Sequence, residues 1–112
     1  MRSDESHLLD MLLAARKIKR FAADLTEQGF RESEIHQSAI IRELQVIGEA
    51  ARLVSEPMKT QHPEMQWVQI AGMRNRLIHE YFRVDLKLVW QVVEQDIDAL
   101  ILRLEPLIPK ES

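Results

Sequence analysis

The sequence predicts an all-α protein, folded as an up-down four-helix bundle. Apolar residues recur at helical spacing in four stretches, and no alternating strand pattern lasts long enough to compete with them. The connections between these stretches are short, which favours antiparallel neighbours. A chain of 112 residues can bury one core without disulfides or a metal, so we expect a single helical domain over residues 1–112.

The first half of the chain is predicted to form two long helices. The first runs from Asp4 to about Gln28, with Gly29 as its stop. Its apolar stripe is Leu8, Met11, Leu12, Ala15, Ile18, Ala22 and Leu25. The second begins near the N-cap residue Ser33 and runs to about Ser55, with Gly48 inside it, where glycine lowers helix stability unless close packing requires it. Its inner face is Ile40, Leu44, Ile47, Ala51 and Val54.

The second half is predicted to form the main loop and two more helices. Residues 55–65 contain two prolines and make the loop, and Pro63 suits the first turn of the third helix. That helix carries Trp67, Ile70, Ala71, Leu77 and Ile78. Arg83-Val84-Asp85 breaks the pattern, Asp85 can cap the fourth helix, and this helix ends before Pro106. Its apolar residues are Leu86, Val89, Trp90, Val93, Ile97, Leu100, Ile101 and Leu104.

Composition excludes several classes of protein. Cysteine is absent, so disulfide frameworks and thiolate chemistry are excluded. No uncharged apolar stretch approaches the roughly 20 residues that span a bilayer, and the polar start does not resemble a signal peptide. We therefore expect a cytoplasmic protein that makes no membrane contact. The histidines outside the central motif are scattered without metal-ligand spacing, so no metal site is expected.

The charge distribution limits how the chain could bind nucleic acid. A net charge of −3 argues against a non-specific binder. Residues 72–87 nevertheless carry a formal +2, and Arg16, Lys17, Lys19 and Arg20 form a second basic cluster. We interpret the second cluster as a solvated helix face. RNA contact at the first would be local and sensitive to salt.

The most informative segment is Arg74 to Tyr81, which combines a permanent cation with a titratable imidazole. Arginine can neutralise a phosphate through two hydrogen bonds, and histidine can exchange a proton near neutral pH. RNA breaks when its 2′-hydroxyl attacks the adjacent phosphorus, which needs a base, an acid and positive charge. On a straight helix Arg74 and His79 would diverge by about 140°. Either the helix ends or bends near His79, or a second copy of the chain completes the site.

The residues alone also allow a structural interpretation of this segment. His79 could cap a helix end, and Arg74 could pair with a carboxylate such as Glu49 or Glu80. Glu49 itself lies on a polar stripe of the second helix, which is typical of a solvated face. It could instead orient Arg74.

Residues 67–82 closely resemble the HepT-like ribonuclease toxins of the HEPN superfamily. The signature of that family is an arginine, a polar residue, a histidine four to six positions after the arginine and a tyrosine two beyond. Arg74, Asn75, His79 and Tyr81 fill these positions. The resemblance extends from the first helix to Pro106. It includes the segments Ile47-Gly48-Glu49-Ala50, Val84-Asp85 and Val89-Trp90.

The resemblance implies a function. Such proteins fold as helical bundles, form homodimers and cleave RNA, such as mRNA or tRNA, in the cleft between subunits without a metal or other cofactor. They are toxins of type VII toxin-antitoxin pairs, and a minimal nucleotidyltransferase antitoxin can transfer AMP to the tyrosine. Arg74 and His79 would be catalytic, Asn75 and Glu49 supporting, and Tyr81 the modified residue. The alternative is a non-catalytic helical module that binds a nucleotide or a protein in the same cleft.

Overall fold

The computed structural model describes residues 3–79 and 83–109, and for His79 it describes the backbone alone. The fold over these ranges is all-α, as predicted. The helices are α1 (Asp4–Ala22), α2 (Glu27–Arg31), α3 (Glu34–Leu53), α4 (Glu56–Gln61), α5 (Trp67–Ala71), α6 (Met73–Leu77), α7 (Leu86–Gln91) and α8 (Ile97–Leu104). The strands are β1 (Ile78–His79) and β2 (Arg83–Val84), and 3-10 turns cover Pro63–Met65 and Glu105–Leu107. The up-down arrangement of four helices and the dimer stay predictions.

The first predicted helix is two helices in the structure. It ends at Ala22, and Thr26 then caps α2 by accepting a hydrogen bond from the Gly29 amide at 3.0 Å. The prediction of one helix to Gln28 is therefore wrong, and Gly29 lies inside α2 rather than at a stop. Phe30 of α2 is fully buried, so this turn returns an aromatic ring to the core, where it contacts Trp90 with ring centroids 5.3 Å apart.

Helix α3 is the element around which the domain packs. Ser33 caps it as predicted, because its hydroxyl accepts a hydrogen bond from the His36 amide. Asp4, at the start of α1, accepts hydrogen bonds from the amide and hydroxyl of Ser55, just beyond the end of α3, so the two helices run antiparallel. Their facing sides supply much of the apolar core.

The predicted main loop contains ordered helix. Ser55 caps α4, Pro57 lies in its first turn, and the helix continues to Gln61. The prediction that Pro63 opens the third helix is wrong, because the 3-10 turn that it starts ends at Met65. Gln66 has φ 51°, a left-handed conformation that an α-helix cannot continue through. Helix α5 therefore begins only at Trp67, whose indole N–H donates to the His62 carbonyl at 2.9 Å.

The predicted fourth helix is confirmed as one continuous segment, which we call the C-terminal helix (residues 86–104). Asp85 caps it by accepting a hydrogen bond from the Leu88 amide at 3.0 Å. Its middle, Val92–Asp96, is a π-helical turn that the sequence analysis did not predict. Ion pairs from Lys19 to Asp98 and from Arg16 to Glu105 show that this helix runs antiparallel to α1.

Candidate active site

The Arg-His motif (residues 74–81) begins on α6, a single short helix held by two apolar anchors. Met73 and Leu77 are buried, whereas Arg74, Asn75 and Arg76 are exposed. At about 100° per residue, Asn75 points away from the core and the two arginines flank it on opposite sides of the helix. One helical turn therefore exposes two cations and an amide to solvent. The two buried residues of the same turn fix its position by packing in the core.

Gly72 divides the predicted third helix just before the motif. Its amide ends α5 by donating to the Val68 carbonyl at 2.9 Å, and its carbonyl starts α6 by accepting from the Asn75 and Arg76 amides. A Cβ atom at Gly72 would lie 3.2 Å from the Val68 oxygen, which is a tight contact. Because glycine has no side chain, the chain can change direction between α5 and α6 and keep these backbone hydrogen bonds.

Helix α3 holds α5 at very short range. A Cβ atom at Gly48 would lie 3.3 Å from the Ile70 carbonyl oxygen and 3.6 Å from that of Ala71. The glycine that the sequence analysis could not explain without close packing is therefore at a helix–helix contact. This contact fixes the backbone of the two residues that lead into Gly72 and α6.

The helix ends directly before His79. After Leu77 the backbone becomes extended in β1, which pairs antiparallel with β2 through Ile78 opposite Val84 and His79 opposite Arg83. The Asp85 amide donates to the Leu77 carbonyl at 2.9 Å and closes this junction. Of the two alternatives, the one in which the helix ends near His79 is therefore confirmed, and the 140° divergence on a straight helix does not apply. Completion of the site by a second copy of the chain stays a prediction.

Part of the motif lies outside the described residues. This part is Tyr81, the possible partner Glu80 and the side chain of His79. The catalytic and modification roles of His79 and Tyr81 stay predictions.

Glu49 pairs with Arg52 rather than with Arg74. The Glu49 carboxylate accepts two hydrogen bonds from the Arg52 guanidinium, at 2.7 and 3.2 Å, and this bonding lowers its pKa and raises that of Arg52. Both side chains are exposed, as expected for a solvated polar stripe. Arg74 makes no ion pair or side-chain hydrogen bond with any described residue. The supporting role of Glu49 stays a prediction, now with a different immediate partner.

The structure adds a cavity that sequence reasoning missed. It has a volume of about 310 Å³ and lies between the α5–α6 segment and the C-terminal helix. Arg76 of α6 and Arg103 of α8 both border it. A second groove of about 330 Å³ lies between α1 and α3 and includes Glu49 in its lining. Helical periodicity gave no sign of either space, because each is assembled from elements distant in the chain.

Residues 3–79 and 83–109 contain neither a candidate metal site nor a candidate membrane span. No group of three His, Cys, Asp or Glu residues in these ranges is arranged to hold a metal ion. No helix there is long and apolar enough to cross a bilayer.

Comparison with known proteins identifies the family. The model of the family "Ribonuclease HepT-like" matches residues 11–107. "Probable ribonuclease HepT" of Thermococcus cleftensis is 37% identical over 106 residues, covering 95% of this chain and 96% of the relative. "Putative RNase MJ1380" of Methanocaldococcus jannaschii is 32% identical over 99 residues, covering 88% and 91%. No solved structure gives a significant match. The resemblance and the expected ribonuclease activity are thus confirmed at family level, and the chain belongs to the HepT-like ribonuclease family.

Proposed function

We propose that this ribonuclease is a metal-independent RNA endonuclease that acts as a homodimer, with Arg74 and His79 as catalytic residues and Asn75 in support. One observation carries the proposal. Arg74 and Asn75 are exposed on a rigidly anchored turn, Arg74 has no acidic partner among the described residues, and the helix ends just before His79. A cation on an anchored turn, without an acidic partner among the described residues, is suited to bind an anion from outside the protein.

The chemistry follows from what RNA contains. A histidine acting as base removes the proton of the 2′-hydroxyl, the oxygen attacks the adjacent phosphorus, and the bond to the 5′-oxygen breaks. A histidine acting as acid protonates that leaving oxygen, so the products are a 2′,3′-cyclic phosphate and a 5′-hydroxyl. The Arg74 guanidinium stabilises the extra negative charge of the phosphorane. DNA lacks the attacking hydroxyl and should remain intact.

A two-fold dimer would supply both histidines. One chain has a single histidine in the motif, whereas the reaction needs an acid and a base at the same time. Two copies packed about a two-fold axis would bring two arginines and two histidines into one cleft. The Glu49–Arg52 pair would then support the site by shaping the surface near this cleft.

Cleavage in the presence of EDTA tests the catalytic assignment. Purified protein should cut single-stranded RNA, leave DNA of the same sequence intact and produce cyclic phosphate ends. His79→Ala should lower the rate by about 100- to 10,000-fold while the protein stays folded. Unchanged cleavage by His79→Ala would refute the assignment. RNA binding without any cleavage would favour the alternative of a non-catalytic binding module.

Mixing wild-type and inactive chains tests the shared site. Wild-type protein is refolded with a growing excess of His79→Ala chains. A mixed dimer keeps one histidine in the cleft and so lacks either the acid or the base, and activity should therefore fall well below the share of wild-type chains. Activity that stays proportional to the share of wild-type chains would show that each chain acts alone. Light scattering of the wild type should give a dimer, and a monomer would contradict this part of the proposal.

We further propose that the protein is the toxin of a type VII toxin-antitoxin pair in the cytoplasm, silenced when a minimal nucleotidyltransferase transfers AMP to Tyr81. The chain has only one tyrosine, so a modification directed at a phenol has one possible target. An AMP group there would add bulk and a phosphate to the motif that carries Arg74 and would compete for the cation that binds RNA.

The modification is tested with a purified minimal nucleotidyltransferase, ATP and purified protein. Intact-mass measurement should find AMP on the wild type, and RNA cleavage should fall in proportion to the modified fraction. Tyr81→Phe should accept no AMP and should keep its cleavage. AMP found on the Tyr81→Phe variant would refute the site.

A further inference from the structure

We propose that the cavity between the α5–α6 segment and the C-terminal helix is a nucleotide subsite, which takes one base of the RNA strand inside and its phosphate at the rim. The proposal rests on the proposed function, because the nucleotide is taken to be a neighbour of the linkage that is cut. It is argued from the size of the cavity, its lining and two arginines at its rim that have no ion partner among the described residues.

The size and the floor of the cavity suit one base. A volume of about 310 Å³ lies at the lower end of cavities that hold small ligands, so it fits one nucleotide rather than a longer segment. Its floor is formed by side chains that are apolar and buried. They are Met65, Met73, Val92, Ile97 and Leu100. Thioether and aliphatic groups pack readily on the flat face of a base.

The rim of the cavity is cationic. Arg76 reaches it from α6 and Arg103 from α8, and both are exposed. Neither arginine has an ion partner within residues 3–79 and 83–109, and Asp96 is the one carboxylate among the lining residues. A phosphate can therefore be held between two guanidinium groups from separate elements.

The polar side chains around the cavity can contact the edge of a base. Gln66 and Gln69 line it with amides that both donate and accept, and Asp96 supplies an acceptor. Two of the lining residues, Val92 and Asp96, belong to the π-helical turn of the C-terminal helix. Single π turns inside α-helices occur frequently at functional sites.

The cavity lies beside the Arg-His motif, because Arg76 belongs to both. Arg76 is two residues from Arg74 on the same anchored turn, about 200° around it. An RNA strand that contacts Arg74 on one side of α6 can thus place a neighbouring nucleotide against Arg76 on the other. Cleavage would then depend on a base beside the cut, which gives the enzyme a means of sequence preference.

Methionine methyl groups provide a direct probe of occupancy. With ¹³C-methyl methionine in the wild-type protein, AMP, CMP, GMP and UMP are titrated separately, with inorganic phosphate as a parallel arm. The methyl signals of Met65 and Met73 should shift with at least one nucleotide, whereas Met11, fully buried in α1, should not. Identical shifts with phosphate alone, or none with any nucleotide, would overturn the subsite.

Two substitutions test whether RNA uses the cavity. In a His79→Ala background, which prevents cleavage, Ala99→Trp fills the cavity and Arg103→Gln removes one rim cation. Both should weaken binding of a single-stranded RNA oligonucleotide, by roughly 10-fold and 3-fold. Arg20→Gln on α1 removes the same charge from an exposed site away from the cavity and should leave affinity unchanged.

The outcomes separate this proposal from the proposed function. Unchanged RNA affinity in Ala99→Trp and Arg103→Gln, with normal cleavage when His79 is intact, would overturn the subsite alone. Loss of binding in step with a change of oligomeric state would assign the cavity to a protein interface and would equally overturn it. Nucleotide-dependent methyl shifts in a protein that never cleaves RNA would support the subsite but refute the endonuclease.

Discussion

On α1, two of the basic residues form ion pairs with the C-terminal helix and the turn that follows it, whereas the arginines of α6 form none with the residues that the structure describes. Arg16 lies 3.2 Å from Glu105, and Lys19 lies 3.1 Å from Asp98. Arg74 and Arg76 contact no carboxylate in the part of the chain that the structure describes. Both sets of side chains are exposed, so exposure alone does not separate them.

This difference shows why net charge is a poor guide to what this protein binds. Arg16 and Lys19 of α1 are matched by Glu105 and Asp98, so this part of the surface attracts anions weakly. Arg74 and Arg76 of α6 have no such partner among the described residues, although the chain as a whole carries −3. RNA cleavage should therefore depend on the α6 arginines. The paired cations of α1 should contribute slightly to stability and not to cleavage.

The largest effect is expected from removing the unpaired cation at the centre of the motif. Arg74→Gln should lower RNA cleavage by about 100- to 1,000-fold, because the phosphorane loses its main positive partner. Its unfolding temperature should be unchanged, since the exposed guanidinium has no described partner to lose. Cleavage rates and thermal unfolding measure both quantities on the same preparation.

Arg16→Gln is the matched control for this experiment. It removes the same charge from a paired site, so cleavage should remain within about twofold of the wild type, while stability falls by less than about 1 kcal/mol. Equal losses of cleavage in the two variants would show that pairing does not distinguish the two clusters. That result would remove the main argument for the site.

A second, smaller effect is expected from the contact that holds α5 in place. Gly48→Val should lower the free energy of unfolding by about 1–3 kcal/mol, because its side chain would be forced against the Ile70 carbonyl. Cleavage should fall as well, since the backbone leading into α6 would shift. Denaturant unfolding and cleavage rates provide the measurement.

Gly29 is the glycine control within the same molecule. A Cβ atom there meets only Thr26 and Leu25 side chains at 3.4 and 3.5 Å, which is ordinary contact. Gly29→Ala should therefore raise stability by up to about 1 kcal/mol through helix propensity and leave cleavage unchanged. Cleavage that survives Gly48→Val would show that the position of α6 does not depend on this contact.

The sequence predicted helix ends best where a single side chain determines them. Ser33 and Asp85 cap their helices as expected, because a short polar side chain before an apolar run has one favourable use. The break after Ala22 was missed because the apolar stripe continues to Leu25, so periodicity hid the Thr26 cap. The π turn was missed because the apolar spacing does not reveal one extra residue in a helical turn.

The site was predicted only as far as the local sequence determines it. The sequence placed Arg74 and Asn75 on a helix, where the structure has them in α6, and the i,i+3 spacing of Glu49 and Arg52 already allowed their pairing. The cavity beside Arg76 could not be predicted, because its walls come from segments about twenty residues apart that pack through tertiary contacts.

A third effect, near 1 kcal/mol, is expected from a carboxylate that is held by neutral donors instead of cations. Hydrogen bonds from Ser55 lower the pKa of Asp4 below its ordinary value of 3.8. The stability that this gives is present above that value and is lost as pH falls through the lowered pKa. Asp4→Asn should therefore be less stable than wild type at pH 7, by about 1 kcal/mol.

Unfolding by urea between pH 7 and pH 2 measures this dependence. The gap between wild type and Asp4→Asn should narrow as pH falls below 4, because the wild-type carboxyl then becomes protonated as well. Ser55→Ala should reproduce the loss at neutral pH. A gap that stays constant over the whole range would show that the two hydrogen bonds do not favour the charged form.

The smallest effect is expected at the Lys19–Asp98 pair. This pair tests whether the paired cations of α1 contribute little to stability. Lys19 and Asp98 keep 43% and 63% of their side-chain surface exposed, so water and salt weaken their attraction. A double-mutant cycle with Lys19→Gln and Asp98→Asn should give a coupling below about 0.5 kcal/mol that shrinks further in 0.5 M salt. A coupling several times larger would mean that the α1 cations are essential to helix packing. The α1 cations would then be absent from RNA binding because they stabilise the packing of α1, and this contribution would be as large as that of the motif arginines to substrate binding.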